Sequence, residues 1–167
     1  SPPSTFTREL VEIAKTVGIA RGLIYRHFSS KEELYVLTVT SYLEELDGVL
    51  SAAIATAASP ATQLEQWARA YAEFCCRYPA FLDCTLSLMR RPATELQATI
   101  SDSVWLRLGQ GMALCINHVS SVLHAADDQG ILNVTDPDYA ANVLWTQMLG
   151  TMHLARLRVG LRQAAPG

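Results

Sequence analysis

The chain has 167 residues, 50% of them apolar and 17% charged, with a mean hydropathy of +0.15 and a net charge of −3. That is too apolar for a disordered chain and enough for a sizeable core, while 9 glycines and 7 prolines, all scattered, exclude a fibrous or low-complexity protein. No run approaches the ~20 apolar residues of a membrane span, and Ser1-Pro2-Pro3-Ser4 opens no basic-then-apolar leader, so a soluble cytoplasmic protein without membrane association is expected.

Almost everything reads as helix, because strand-like alternation is absent and turn signals are widely spaced. Leu10, Ile13, Ala14 and Val17 form the apolar stripe of one short helix, which Gly18 stops. A second short helix spans about residues 21–28, with Ile24 and Phe28 inward. Two short helices joined by a tight glycine turn make a helix-turn-helix unit. This head is basic: residues 1–31 hold five basic side chains against two acidic ones, a balance of +3, and the remainder carries −6. A basic head on an acidic body suggests a polyanionic partner for the head alone.

Ser30 then caps a third helix, with Glu33 placed to complete a capping box. The spacing of Tyr35, Val39, Tyr42, Leu46, Val49 and Ala53 predicts one apolar seam running to about residue 58. The domain boundary falls within it, giving a helix-turn-helix head of residues 1–45 and a helical body of residues 46–167. Ser59-Pro60 starts the next helix, Pro79 a shorter one that Arg90-Arg91-Pro92 breaks, and Gly130 ends a long helix running from near Thr94 or Ser101 to Asp128. Gly109-Gln110-Gly111 is expected to interrupt that long helix. Asp136-Pro137 opens the last helix, apolar nearly all round from Tyr139 to Leu154, so one side is expected to meet a second subunit. Arg156, Arg158 and Arg162 suit its negative end.

Cys75, Cys76, Cys84 and Cys115 form no C-x-x-C pair and read as buried small hydrophobes. His124, Asp127 and Asp128 share a metal-compatible spacing, but no further ligand is assignable, so neither metal nor cofactor is expected. No G-x-S-x-G, phosphate-binding loop or H-E-x-x-H occurs, so an enzyme is not expected.

The informative stretch reads E-I-A-K-x-x-G-I from Glu12, I-Y-R-H-F from Ile24 and S-K-E-E-L from Ser30. In physical terms, a recognition helix presents small or hydrogen-bonding side chains at its N-terminal end to the major groove. Arg21 is placed to read a guanine edge, Gly22 permits close approach, and Leu23 can meet a thymine methyl. Tyr25, Arg26, His27 and Lys31 supply phosphate donors, and Lys15 is a weaker one. The start of the third helix, beside Lys31, offers a phosphate seat.

With three sub-motifs in register over about residues 9–45, the sequence resembles the TetR (AcrR-type) family of bacterial transcriptional regulators. The resemblance implies an all-α fold, with an N-terminal helix-turn-helix unit joined by a long helix to a C-terminal ligand-binding and dimerisation domain. It implies backbone contacts at Tyr25, His27 and Lys31, a palindromic double-stranded operator, a small-molecule effector, and a homodimer formed through the C-terminal helices. The commonest such function is repression relieved by a ligand.

Ala20 stands where the family usually has a capping Ser or Thr, Leu23 where Thr is frequent, and Leu10 where another capping Thr is common. The family's first helix is expected ahead of this unit, and only seven residues precede Arg8, so that helix is expected to be missing. These departures keep an alternative in view: a helical small-molecule- or partner-binding protein of the same fold that has lost operator recognition.

In the body, Trp67, Tyr71, Phe74, Met89 and Trp105 are candidates for an apolar ligand cavity. Met112, Cys115, His118, Trp145 and Met148 complete the set, each weighed against plain core packing. Asn117, His118 and His153, polar within apolar faces, are more specific pointers than the hydrophobes.

Overall fold

The computed structural model describes residues 30–157. Among these there are six helices and no strand: α1 (Lys31–Ala55), α2 (Pro60–Arg77), α3 (Pro79–Met89), α4 (Ala93–Thr99), α5 (Asp102–Asp128) and α6 (Pro137–Leu157). The two short helices of the expected helix-turn-helix lie outside the described residues.

The helix ends follow local chemistry. Ser59 takes an extended conformation, its hydroxyl accepts from the Thr62 amide, Thr62 answers at the Ser59 amide, and Pro60 fills the first turn where no amide donor is needed. Asp136 Oδ1 accepts from the Tyr139 amide at 3.0 Å and opens α6 in the same way. At the far end of α5, Gly130 sits at φ 69°. Its amide donates to the Asp127 carbonyl and the Ile131 amide to the Ala126 carbonyl, a Schellman closure.

The described residues fall into two compact units. One combines residues 30–45 with Pro79–Ala113; the other combines Leu46–Tyr78 with residues 114–157. In the first, α1 is buried on more than one side, at Leu34, Val36, Thr38, Val39, Thr40, Tyr42 and Leu43. The two threonine hydroxyls donate to the Leu34 and Val36 carbonyls at 2.8 Å, which makes their burial tolerable. Phe81 and Leu82 from α3 join this core, with Tyr42 and Phe81 edge to face at 6.0 Å. The single seam expected on α1 therefore departs from the observed burial: Leu46 and Leu50 carry it onward, while Val49 is 37% exposed and Ala53 only half-buried.

The break before α5 also differs. Ile100 is extended and buried between α4 and α5, so residues 93–128 form two helices and not one. Conversely, Gly109 and Gly111 do not interrupt α5. Gly111 is buried against Leu43, where a Cβ would lie 3.3 Å from the Leu43 Cβ and Cδ1.

In the second unit the core gathers Leu46 and Leu50 with the α2 face Trp67, Tyr71, Phe74 and Cys75. The α5 row Cys115, Val119, Val122, Leu123 and Ala126 closes it from another side. α6 contributes Ala141, Trp145 and Leu149, one residue every turn, while Tyr139, Leu154 and Leu157 stay exposed within the described chain.

Candidate functional site

At the junction with the signature segment, the start of α1 makes four contacts. The Ser30 hydroxyl accepts from the Glu33 amide at 3.1 Å, so the expected cap is present, and it donates to the Thr99 carbonyl at 3.1 Å. The latter bond satisfies a carbonyl at the end of α4. Glu32 pairs with Arg91 at 2.9 Å. Lys31 lies with its ammonium 5.3 Å from the Tyr35 ring centroid, a cation–π contact that keeps its charge at the positive end of the helix. Of the DNA-contact candidates, Lys31 is described. Lys15, Arg21, Gly22, Leu23, Tyr25, Arg26 and His27 lie outside the described residues.

The ten ligand candidates divide between the units. Met89, at 55% exposure, and the half-buried Trp105 and Met112 belong to the first. Trp67, Tyr71, Phe74, Cys115, His118, Trp145 and Met148 belong to the second. There, Tyr71 packs at 5.7 Å with Trp67 and meets Trp145 edge to face at 4.9 Å. Burial, and secondarily Cys75 and Cys115, drives the Tyr71 phenol far above its ordinary pKa. Its hydroxyl and the Trp67 indole nitrogen have no hydrogen-bond partner among the described residues.

Around this aromatic core the surface carries shallow grooves. Trp67, with Leu64 and Ala68, faces Leu144, Met148 and Thr151 of α6 across a groove of about 370 Å³. A second, of about 360 Å³, runs between α1 and α5 with Gln63 of α2 at its side. His118 lines this groove, and its Nε2 donates to Asp47 Oδ1 at 2.6 Å. Asp47 is a functional candidate that the sequence reading did not single out; its partner is 71 residues away. Asn117 and His153 are exposed.

Of the His124, Asp127 and Asp128 set, His124 and Asp127 serve connections within the unit. Asp138 accepts from both Ser120 and His124, which holds the carboxyl below its ordinary range, and Asp127 caps the Val134 amide at 3.1 Å. No cluster suited to a metal occurs among the described residues. No helix among them is long and apolar enough to cross a membrane.

Comparison with known proteins adds the segment's affiliation. Residues 9–37 match the family model "Bacterial regulatory proteins, tetR family". The fold is similar to a TetR family transcriptional regulator, PfmR, from Thermus thermophilus. The match has a TM-score of 0.64 and 18% identity, over 95% of this chain and 79% of that one. No curated protein matches the sequence. Beyond the signature, what is shared is thus an all-α, TetR-like architecture.

Proposed function

We propose that this TetR-type DNA-binding regulator is a repressor whose operator binding is released by a small apolar or amphipathic ligand. The observation that carries the reading is the family signature over residues 9–37, running into a helix start at Ser30 and Lys31 that is capped and charged. The DNA-binding unit is residues 1–45, and residues 46–167 form the ligand-binding and dimerisation body.

Two copies pair through their last helices, and their recognition helices enter successive major grooves ~34–36 Å apart on a palindromic operator. Arg21 reads a guanine edge, Gly22 lets the backbone approach, and Leu23 meets a thymine methyl. Lys15, Tyr25, Arg26, His27 and Lys31 hold phosphates and set the register. Ligand in the body favours a separation of the two heads that does not fit the operator, so its differential affinity for the two states is what lowers DNA affinity. The protein acts in the cytoplasm, where its operator and effector are both accessible, and carries out no chemistry.

Selection of binding sites from a random duplex library by the full-length protein tests this. A palindromic consensus with half-sites one helical turn apart is expected, and Tyr25→Phe or His27→Ala should weaken binding to it without altering the consensus. Failure to enrich any sequence, with affinity indifferent to salt, would overturn it. Ala20 and Leu23 favour the second reading in that event: a helical binding protein of the same fold that no longer recognises an operator.

A further inference from the structure

The groove between α1 and α5 is built from two facing rows. On α1, Asp47, Ser51 and Ala55 follow at intervals of one turn; on α5, His118, Ser121 and Ala125 do the same. Small side chains in both rows leave about 360 Å³ open, within the range of small-molecule sites. Ile54 and Val122 give the groove apolar walls.

The polar groups are arranged unequally. A carboxylate only accepts, so the proton of the His118–Asp47 bond resides on Nε2, and the bond fixes the orientation of the ring. Nδ1 makes no hydrogen bond to a described residue, and neither do the hydroxyls of Ser51 and Ser121. His118 is 25% exposed, so the ring is accessible yet held. Nδ1 accepts when the ring is neutral and donates when it is charged. A hydroxyl is the neutral group that satisfies either state, because it both donates and accepts.

We propose that this groove binds a small aromatic alcohol, its ring between Ile54 and Val122 and its hydroxyl on His118 Nδ1. Asp47 is a positioning residue, acting through the imidazole. The inference rests on the reading of residues 46–167 as a ligand-binding body and names the chemistry that body recognises.

Titration of the full-length protein with 2-naphthol and 2-methylnaphthalene, followed through the nitrogen-15 imidazole resonances, separates the possibilities. 2-Naphthol should shift the His118 ring signals saturably and bind about three- to tenfold more tightly than its methyl counterpart, as expected of one net hydrogen bond. His118→Phe should erase that difference. Asp47→Asn should reduce it, with the His118 ring signals broadened in the free protein. Ser121→Trp, which fills the groove from an exposed position, should abolish binding of both probes while the melting temperature is kept. Equal affinity for the two probes, shifts confined to other residues, or no shift with phenol or 2-naphthol at millimolar concentration would overturn the proposal. Operator retention measured alongside keeps the two readings apart. Naphthol bound at His118 with DNA still held defeats ligand release alone. DNA released by other compounds with His118 unmoved defeats the groove alone.

Discussion

Tyr71 shows what a fully buried polar atom costs when nothing answers it. Its ring fills the space between Trp67 and Trp145, but its hydroxyl is paired with no described residue. Removing an unanswered buried hydroxyl relieves a desolvation penalty of about 1–3 kcal/mol, whereas removing the ring opens a cavity worth about 3–5 kcal/mol. Tyr71→Phe should therefore leave the urea midpoint unchanged or raise it, and Tyr71→Ala should lower it sharply. The cysteines divide in the same spirit. Burial pushes the thiols of Cys75, Cys84 and Cys115 up to about 12, with smaller contributions from Cys76, Asp83 and Asp47 respectively, while Cys76 is exposed. Only the thiolate is nucleophilic, so a disulfide reagent at pH 8 should titrate one thiol rapidly in the native protein and all four after unfolding. The same burial sets a pH limit. Above the ordinary thiol value of 9.0 the unfolded chain releases protons that the folded chain retains, so the thiols' contribution to stability should be constant below pH 9 and be lost as pH rises toward 12. Urea unfolding at successive pH values checks the sign.

Helix ends were legible because one or two residues decide them. Ser59-Pro60, Asp136-Pro137, Gly130 and Ser30 each act where the sequence places them, since a cap needs only its own side chain and the next turn. Helix interiors were less legible, because partners distant in sequence decide them. Ile100 breaks the chain between α4 and α5 with no proline or glycine to announce it, while Gly111, which looks like a breaker, is helical and leaves room for the close approach of Leu43. That contrast is measurable in two glycines on one helix. Gly109 has open space around its Cβ direction, so Gly109→Ala should stabilise by the helix-propensity difference of about 0.5–1 kcal/mol. Gly111→Ala gains the same propensity but forces a Cβ to 3.3 Å from the Leu43 Cβ, an atom that no rotamer change moves, and should be net destabilising. Thermal melts of the two variants should move in opposite directions. The aromatic residues repeat the lesson: Trp67, Tyr71 and Trp145 have the spacing of a pocket or of a core alike, and ring contacts at 4.9 and 5.7 Å, made between separate helices or one turn apart, are what distinguish packing. His118 stands out in the sequence as polar on an apolar face, but its partner Asp47 lies on another helix and left no local sign.

At the scale of the whole chain, charge is the property that sequence carries without any need of coordinates. The balance of +3 in residues 1–31 and −6 in the remainder is the asymmetry on which the proposed placing of DNA contacts in the head rests. The signature was legible for a related reason: its sub-motifs lie within one short linear segment, so their register needs no tertiary contact to be recognised. The two facts combine into a quantitative expectation. Lys15, Arg26 and Lys31 are the cationic phosphate contacts proposed per chain, roughly six in a dimer, and each phosphate neutralised contributes about −0.9 to the slope of log affinity against log salt. The full-length protein on its operator should thus approach a slope of about −5. Neutralising Lys31 as Lys31→Gln removes one contact per chain and should flatten the slope by about 2 while leaving the selected sequence unchanged, because a phosphate contact carries no base information. Arg21→Gln should instead relax the preference at one base pair of each half-site, by about 1–3 kcal/mol. Anisotropy titrations across a salt series, on the operator and on a single-base variant of it, measure both quantities. If Lys31→Gln altered the preferred base and left the slope untouched, the division between the residue that holds the backbone and the residue that reads the groove would have to be reversed.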